Sequence, residues 1–235
     1  MKKYFYLIVS LTLLLVFSSC GKKKDETPEY VRPDIFVDYN ESTLIFNADG
    51  SITEIAIQDY NESDVDYTGL KSYVESEINN ANSKLGSDSI AMTDYFDDSG
   101  VIKAAIHYTD INSYNYFNSV SYDMSGFDPD KCDIRVPLDE TVDASAGDAT
   151  YTDAEVETEL VEATFTDASD NSTKRSSEIS KSYMMLILDD KVDVKFDDGK
   201  VLYYNSYVEK GKSDNTVKSN GEGQAVIVFE FNYAY

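Results

Sequence analysis

The 235-residue sequence is poor in residues on which many catalytic and metal sites depend. It has no tryptophan, two cysteines and a single histidine, His107. One histidine excludes the zinc motifs that place two histidines on one helix. A histidine-based triad would need an oriented nucleophile, and no Gly-x-Ser-x-Gly context is present. His107 shares a strand face with Lys103 in VIKAAIHYTD, so we expect both to face solvent.

Basic residues are also few, with 20 Lys and Arg against 44 Asp and Glu. Such a balance leaves no basic patch to neutralise phosphates, so we expect no nucleic-acid partner. Strong acidity is usually a solubility feature of a secreted protein. It also predicts that the folded body is repelled by an anionic membrane and stands away from it.

The long apolar run of the chain is confined to residues 4–17, directly after Lys2 and Lys3. The small residues Ser18 and Ser19 follow, and then Cys20. A basic start, an apolar run and small residues are typical of a secretory signal peptide. Fourteen residues are too few for a membrane span, which needs about 20. We therefore interpret residues 1–19 as an export signal.

The end of this segment, Val16-Phe17-Ser18-Ser19-Cys20, resembles a bacterial lipoprotein signal, although Phe17 stands where Leu is usual. The resemblance implies cleavage before Cys20 and a diacylglycerol on its sulfur, with acyl chains such as palmitate. Two acyl chains anchor a protein stably, whereas one holds it only marginally. Cleavage also removes Lys2 and Lys3, which leaves 44 acids against 18 Lys and Arg, a net charge near −26. The predicted location is the extracytoplasmic face of the cell membrane.

Residues 20–33 are polar, contain Pro28 and Pro33, and show no hydrophobic period. Such a segment cannot bury enough apolar surface to offset its ordering entropy. We interpret it as a flexible tether between lipidated Cys20 and the folded body. Its lysines at 22–24 would lie beside anionic head groups, and an ordinary solvated linker predicts the same position.

The second cysteine, Cys132, has no intramolecular partner if Cys20 is lipidated. The fold must then depend on its apolar core, and about 200 residues suffice for one compact unit or two small ones. Cys132 lies at the start of a predicted strand and is expected to be a small core residue. The 19 tyrosines and 11 phenylalanines suit half-buried strands.

Residues 34–130 alternate β-prone runs with helical periodicity. A hairpin is predicted over 43–57 around Asp49-Gly50, and a second hairpin over 89–108. Apolar residues at steps of three and four predict an amphipathic helix from near Thr68 to Gly86. A short helix over 110–118, capped by Thr109, would complete a ββαββα-like unit.

Residues 131–235 are rich in predicted strands, namely 160–165, 183–188, 192–196, 201–208 and 225–231. The run 183–188 is continuously apolar, which predicts a strand covered on both faces. The expected fold class is α+β, with antiparallel hairpins, one amphipathic helix and a β-rich C-terminal half. The two parts would be separate units or one domain.

Four segments carry a wider resemblance: LIFNADGSITEIAIQDYN, GLKSYVESEINNAN, SGVIKAAIHYTDINSYNYFN and LDDKVDVKFDDGKVLYYNSYV. Their order is similar to that in uncharacterised lipoproteins from clostridial-type bacteria, over most of residues 43–231. The shared features are turns and strands rather than chemical motifs. The resemblance implies a Gram-positive cell surface and a family without an assigned activity, so it assigns no functional residues.

The segment HYTDINSYNYFNSVSYD is the candidate recognition surface. Tyrosine rings bury much area at small entropy cost and keep a hydroxyl for polar contacts, which suits a glycan or protein ligand. The candidate residues are Tyr108, Tyr114, Tyr116 and Tyr122. Packing alone would also explain the three-residue spacing of Ile111, Tyr114 and Phe117 on the inner face of a short helix, and we favour that interpretation.

The many carboxylates permit two further hypotheses. Glycoside hydrolysis needs two carboxyl groups about 5–10 Å apart, one with a raised pKa, and so many acids will supply such a pair by chance. The stretches DYNESDVDYTG, DYFDDSG and FDPDKCD could offer oxygen ligands to calcium, but none matches the EF-hand loop. Asp64 and Asp66 could equally cap the following helix.

We therefore expect a lipid-anchored extracytoplasmic protein without catalytic machinery or a cofactor, which acts by binding or as a surface component. Its expected partners are the membrane, through Cys20, and a surface glycan or protein. The alternatives are a cell-surface hydrolase that uses a carboxylate pair and a calcium-dependent surface adhesin.

Overall fold

The computed structural model describes residues 34–60, 69–98, 100–137 and 158–232. Within these ranges the chain is an α+β protein with a β-rich C-terminal half, which confirms the expected class. The described α-helices are α1 (Leu70–Leu85) and α2 (Ile111–Asn118). The predicted signal, Cys20 and the tether lie outside the described residues, as do Asp64 and Asp66.

The first eight strands are β1 (Thr43–Phe46), β2 (Ile52–Asp59), β3 (Ile90–Asp98), β4 (Val101–Tyr108), β5 (Asp123–Gly126), β6 (Ile134–Pro137), β7 (Thr158–Val161) and β8 (Thr164–Asp167). The other seven are β9 (Thr173–Arg175), β10 (Met184–Leu188), β11 (Asp193–Phe196), β12 (Gly199–Tyr204), β13 (Val208–Lys210), β14 (Thr216–Ser219) and β15 (Ala225–Phe231).

The strands form two large sheets and one small one. A seven-stranded sheet has the order β13-β14-β11-β1-β2-β4-β3, a six-stranded sheet has the order β5-β10-β15-β12-β8-β9, and β6 pairs with β7. β1 runs parallel to β11, and the other pairings are antiparallel. Both large sheets combine strands from either side of residue 130. The strand pairing therefore favours the hypothesis of one domain.

Local signals position the first helix and the first hairpin. Gly50 adopts a φ of +87° in the turn between β1 and β2, as the predicted Asp-Gly turn requires. Gly86 adopts a φ of +72° after α1, and its amide donates to Asn82 O. Glycine takes this left-handed conformation without the steric cost that a Cβ would add. α1 therefore ends where the sequence predicts.

The cap of α2 differs from the prediction by one residue. Asp110, not Thr109, is the last non-helical residue, and its Oδ1 accepts the amide of Ser113 at 2.8 Å. Thr109 instead donates its amide to Ser89 O, beside the second hairpin. An N-cap side chain must reach the amide three residues later, and Asp110 is the residue at that spacing.

The main core lies on the inner face of the seven-stranded sheet. The six-stranded sheet and the two helices contribute to the same apolar cluster, with residues such as Phe229 and Ile78. On β10, Leu186 belongs to this core, whereas Met185 belongs to a second apolar cluster on the opposite face. The apolar run 183–188 is thus buried on both sides, as predicted.

The N-terminal strap, residues 34–42, covers the outer face of the seven-stranded sheet. Phe36 is fully buried there against Ile45, Ile55 and Ala105. Lys103 is only 7 % exposed, and its Nζ donates to Tyr39 O at 2.7 Å and to Phe36 O. The prediction that Lys103 faces solvent is therefore wrong, because the strap supplies carbonyl oxygens above it.

We predict that Phe36→Ala lowers the free energy of unfolding by about 3 kcal/mol, since it removes a buried aromatic ring and leaves a cavity. The adjacent Val37 is 58 % exposed and provides a matched control. Val37→Ala should change stability by less than about 0.5 kcal/mol. Urea unfolding of both variants measures the difference. Equal effects would mean that the strap does not stabilise the sheet.

Candidate functional site

The tyrosine-rich segment lies mainly inside the protein. Tyr108, Tyr114 and Tyr122 are buried, and of the four candidate tyrosines Tyr116 alone is exposed, at 44 %. The proposed four-tyrosine recognition surface is therefore wrong for its three buried members. Their burial agrees with the packing interpretation, in which Tyr114 and Phe117 form the inner face of α2.

Ring packing explains why these tyrosines are buried together. Tyr108 ends β4 on the inner face of the sheet, and its ring centroid lies 5.1 Å from that of Tyr114 at an interplanar angle of 81°. Tyr114 in turn lies 5.5 Å from Tyr122. Edge-to-face and tilted ring pairs at such distances are favourable beyond the area that they bury.

The hydroxyl groups of these rings contact polar side chains that the sequence did not single out. Tyr108 donates to Glu54 Oε2 at 2.7 Å and accepts from Asn118 Nδ2 at 3.2 Å. Tyr122 donates to Asp190 Oδ2 at 3.0 Å. We call Glu54, Tyr108 and Asn118 the interior polar cluster. It joins β2, β4 and the last residue of α2.

Glu54 lies on the inner face of β2 and is partly buried there. Its partners in the ladder are Leu44 on β1 and Ile106 on β4, both in the main core. The alternation of side chains along β2 predicts that Glu54 and Ile55 lie on opposite faces of the strand, and they do. Ile55, however, packs on the outer face, under the strap, so Glu54 lies on the inner face. A half-buried strand would have left Glu54 in water. No local sequence signal indicates that a second layer covers it.

Burial raises the pKa of the Glu54 carboxyl, and hydrogen bonding from Tyr108 and Asn118 partly opposes that shift. Burial also raises the pKa of Tyr108 well above its usual range, and the neighbouring charge of Glu54 adds to the effect. Tyr108 therefore remains a protonated donor at neutral pH. The cluster thus holds one partly buried carboxyl beside Leu44 and Ile106 of the main core.

A carboxylate-dependent hydrolase would need a second carboxyl opposite Glu54. In the described part of the chain, Asp110 caps α2 and Asp190 accepts from Tyr122, so both carboxylates have structural partners. The pKa of the Glu54 carboxyl is raised, and the pKa values of Glu41 and Asp49 are lowered by hydrogen-bonded neighbours. These residues do not assemble the acid and base that glycoside hydrolysis requires.

The acids of residues 127–133 take part in turns. Asp128 Oδ1 accepts the amide of Asp130 at 3.2 Å. Asp133 Oδ1 accepts from Ala163 N at 2.9 Å and from Ser176 Oγ at 2.8 Å. Among the described residues no group of three or more His, Cys, Asp or Glu side chains could hold a metal ion. Most of the acidic stretch 59–69 lies outside them.

Cys132 lies in the second apolar cluster, on the outer face of the six-stranded sheet, and is buried. Its Sγ is 3.6 Å from Met185 Sδ and 3.4 Å from Asp128 O. Burial, together with the nearby charges of Asp133 and Asp128, raises the pKa of its thiol to about 12. The expectation of a small core residue is confirmed.

We predict that Cys132 resists thiol reagents in the folded protein, because the thiolate is the reactive form and is almost absent below pH 9. The test uses residues 34–235, in which Cys132 is the one cysteine. It measures at pH 8 the absorbance of the aromatic thiolate that a reacting thiol releases from an aromatic disulfide. Reaction should become complete only in denaturant. Rapid reaction of the folded body would contradict the burial.

Other surface features are less suited to ligands. His107 is partly buried on β4, in register with Thr53 and Ala91. A shallow, open depression lies at the end of α1 and is lined by Asn79, Asn82, Ser83, Gly86, Ser87 and Asp88. The side-chain amide of Asn82 in this depression already forms hydrogen bonds with the backbone N–H and C=O of Ile90. Neither described helix is long and apolar enough to cross a bilayer.

The chain matches no protein-family model, no curated protein and no solved structure. The resemblance to clostridial-type lipoproteins therefore stays a prediction.

Proposed function

We propose that this chain is a lipid-anchored extracytoplasmic protein that binds a surface glycan or protein and has no catalytic activity. The observation that carries the proposal is the order of its first 33 residues. A basic start and an apolar run end in Ser19-Cys20, and a polar tether follows. This order is typical of an exported chain that is cleaved and acylated at cysteine.

The path of the chain suggests how the anchored body is held. The tether of residues 20–33 leads into the strap, which begins at residue 34 on the outer face of the seven-stranded sheet. Fourteen residues span at most about 50 Å. The body would therefore stay within that distance of the bilayer, and its net charge near −26 would keep it off an anionic surface.

The hydrogen bonds within the interior polar cluster favour a binding function over a catalytic one. Tyr108 uses its hydroxyl to donate to Glu54 and to accept from Asn118, so its polar contacts are internal. The carboxylates of Asp110 and Asp190 are held by the cap of α2 and by Tyr122. Of the tyrosine-rich segment, Tyr116 keeps an exposed ring that a ligand could contact.

We predict that Cys20→Ala moves the protein from the membrane fraction to the soluble or secreted fraction, because the acyl chains supply its attachment. Immunoblotting of fractionated cells measures the distribution. Cys132→Ala is the control and should leave the protein in the membrane fraction, since Cys132 is buried in the body. Membrane retention of the Cys20→Ala chain would refute the anchor.

The binding activity is tested with immobilised residues 34–235 and extracts of cell wall and surface protein. We expect a glycan or protein to be retained, and Tyr116→Ala to weaken its retention about tenfold, which is the cost of losing one good aromatic contact. Val37→Ala, which removes another exposed apolar side chain, is the matched control. Shortened glycan chains in the extract after incubation would instead support the hydrolase.

A further inference from the structure

The outer face of the six-stranded sheet carries two tyrosines from strands that are not neighbours. Tyr183 directly precedes β10 and Tyr203 lies on β12, with β15 between these two strands. Their ring centroids are 6.3 Å apart, at an interplanar angle of 48°. Both rings pack on the second apolar cluster and are only partly buried. The pair therefore bridges β15 with part of each ring open to solvent.

The strand between the two tyrosines supplies a carboxylate. Met184 and Phe229 are partners in the antiparallel ladder, so the same register sets Tyr183 opposite Glu230. Glu230 also lies two residues after Val228 of the second apolar cluster, and side chains two apart on a strand share a face. Glu230 therefore projects beside the two rings, where it is partly buried.

Further carboxylates lie close to the same ring. Asp167 on β8 is the ladder partner of Tyr203. Burial raises the pKa of Tyr203, and the neighbouring groups Asp167, Tyr183, Asp170 and Glu230 add to that shift. The tyrosine pair thus lies among acids from β8, from the turn after it and from β15.

The polar atoms of this surface are not used within the protein. In the described part of the chain, the side chain of Glu230 has no ion-pair or hydrogen-bond partner, and the hydroxyls of Tyr183 and Tyr203 form no hydrogen bond. The interior Tyr108, by contrast, donates its hydroxyl to the carboxylate of Glu54. The outer pair therefore remains available to a ligand.

Two lysines lie near these acids without neutralising them. Lys200 is the ladder partner of Glu230. Hydrogen bonds from Ser172 lower the pKa of Asp170, and Lys174 adds a smaller effect. Among the described residues neither lysine forms an ion pair. Three acids against two lysines leave a local excess of negative charge, on a body with a net charge near −26, which attracts cations.

We propose that Tyr183, Tyr203 and Glu230 form a binding site for a lysine side chain of a partner protein, which we call the lysine site. Ring centroids 6.3 Å apart allow one ammonium group to lie within about 6 Å of both, the distance at which a cation is attracted to an aromatic face. The carboxylate of Glu230 supplies the opposite charge. The methylene stem of the lysine packs along the apolar part of the rings.

Charge complementarity decides the class of ligand. Tyrosine rings also suit a neutral sugar, but a sugar gains nothing from the local excess of negative charge. The lysine site rests on the proposed binding function and names the chemistry of a protein ligand. It is separate from Tyr116, which lies on α2, so the two surfaces can be tested independently.

The test is calorimetric titration of the full chain in detergent with a short lysine–glycine peptide whose ends are blocked. We expect saturable binding that weakens as salt is added, because the charges lie near the surface and are screened. The same peptide with acetylated lysines should not bind, since it has lost the ammonium groups. Tyr116→Ala should bind the lysine peptide as the native protein does, even if it loses the retention proposed for that residue.

Matched variants localise the site. Glu230→Lys should lower the affinity about tenfold, whereas Glu209→Lys, the same charge change at an exposed position on β13, should lower it less than about twofold. Tyr203→Leu keeps an apolar cover but removes the ring face, so the affinity should fall about threefold. Tyr203→Phe keeps a ring and should bind nearly as the native protein does. Urea unfolding shows whether each variant is folded, and Glu230→Lys decides if Tyr203→Leu is not.

Three results would overturn the proposal. Equal losses of affinity in Glu230→Lys and Glu209→Lys would report attraction to the whole acidic surface. Equal binding of the lysine and acetylated peptides would show that the charge is not recognised. No binding of the lysine peptide to the folded native chain would exclude the site.

Discussion

The packing of Phe46, Phe196 and Phe229 holds the two large sheets together. Phe46 and Phe196 are partners in the parallel pair β1–β11, with ring centroids 5.7 Å apart. Phe229 comes from β15 of the other sheet and stacks 4.0 Å from Phe196. Three rings from distant parts of the chain thus share one dry contact, which fixes which faces of the sheets are internal.

The placement of charge follows from this layering. Because the second layer and the strap cover opposite faces of the seven-stranded sheet, polar residues on both faces of its middle strands become wholly or partly buried. Lys103 finds carbonyl oxygens on the strap side, and Glu54 finds Tyr108 on the helix side. Buried polar groups need such partners. The interior polar cluster is therefore a product of the fold as much as a candidate for function.

Local structure was largely predictable from the sequence, and burial was not. Turn glycines and three-to-four periodicity correctly placed the first hairpin and α1, since both depend on neighbouring residues. The layers that cover the two faces of β2 and β4 come from distant parts of the chain. The alternation of apolar and polar residues within each strand therefore does not indicate that both faces are covered. That is why Lys103 was assigned to solvent and the interior role of Glu54 was missed. The spacing of Tyr114 and Phe117 did indicate packing, and it outweighed the tyrosine content of the segment.

The parallel pair of β1 and β11 also has a consequence for biogenesis. Thr43 finds its partner Asp193 some 150 residues later in the chain. If the chain is exported in the N-to-C direction, as we propose, β1 and β2 emerge long before β11, β14 and β15 can complete their sheet and core. Sheets that depend on such distant pairings fold slowly and expose unpaired strands meanwhile. If Cys20 is acylated as it emerges, the incompletely folded body is held at the membrane surface until synthesis has passed residue 231.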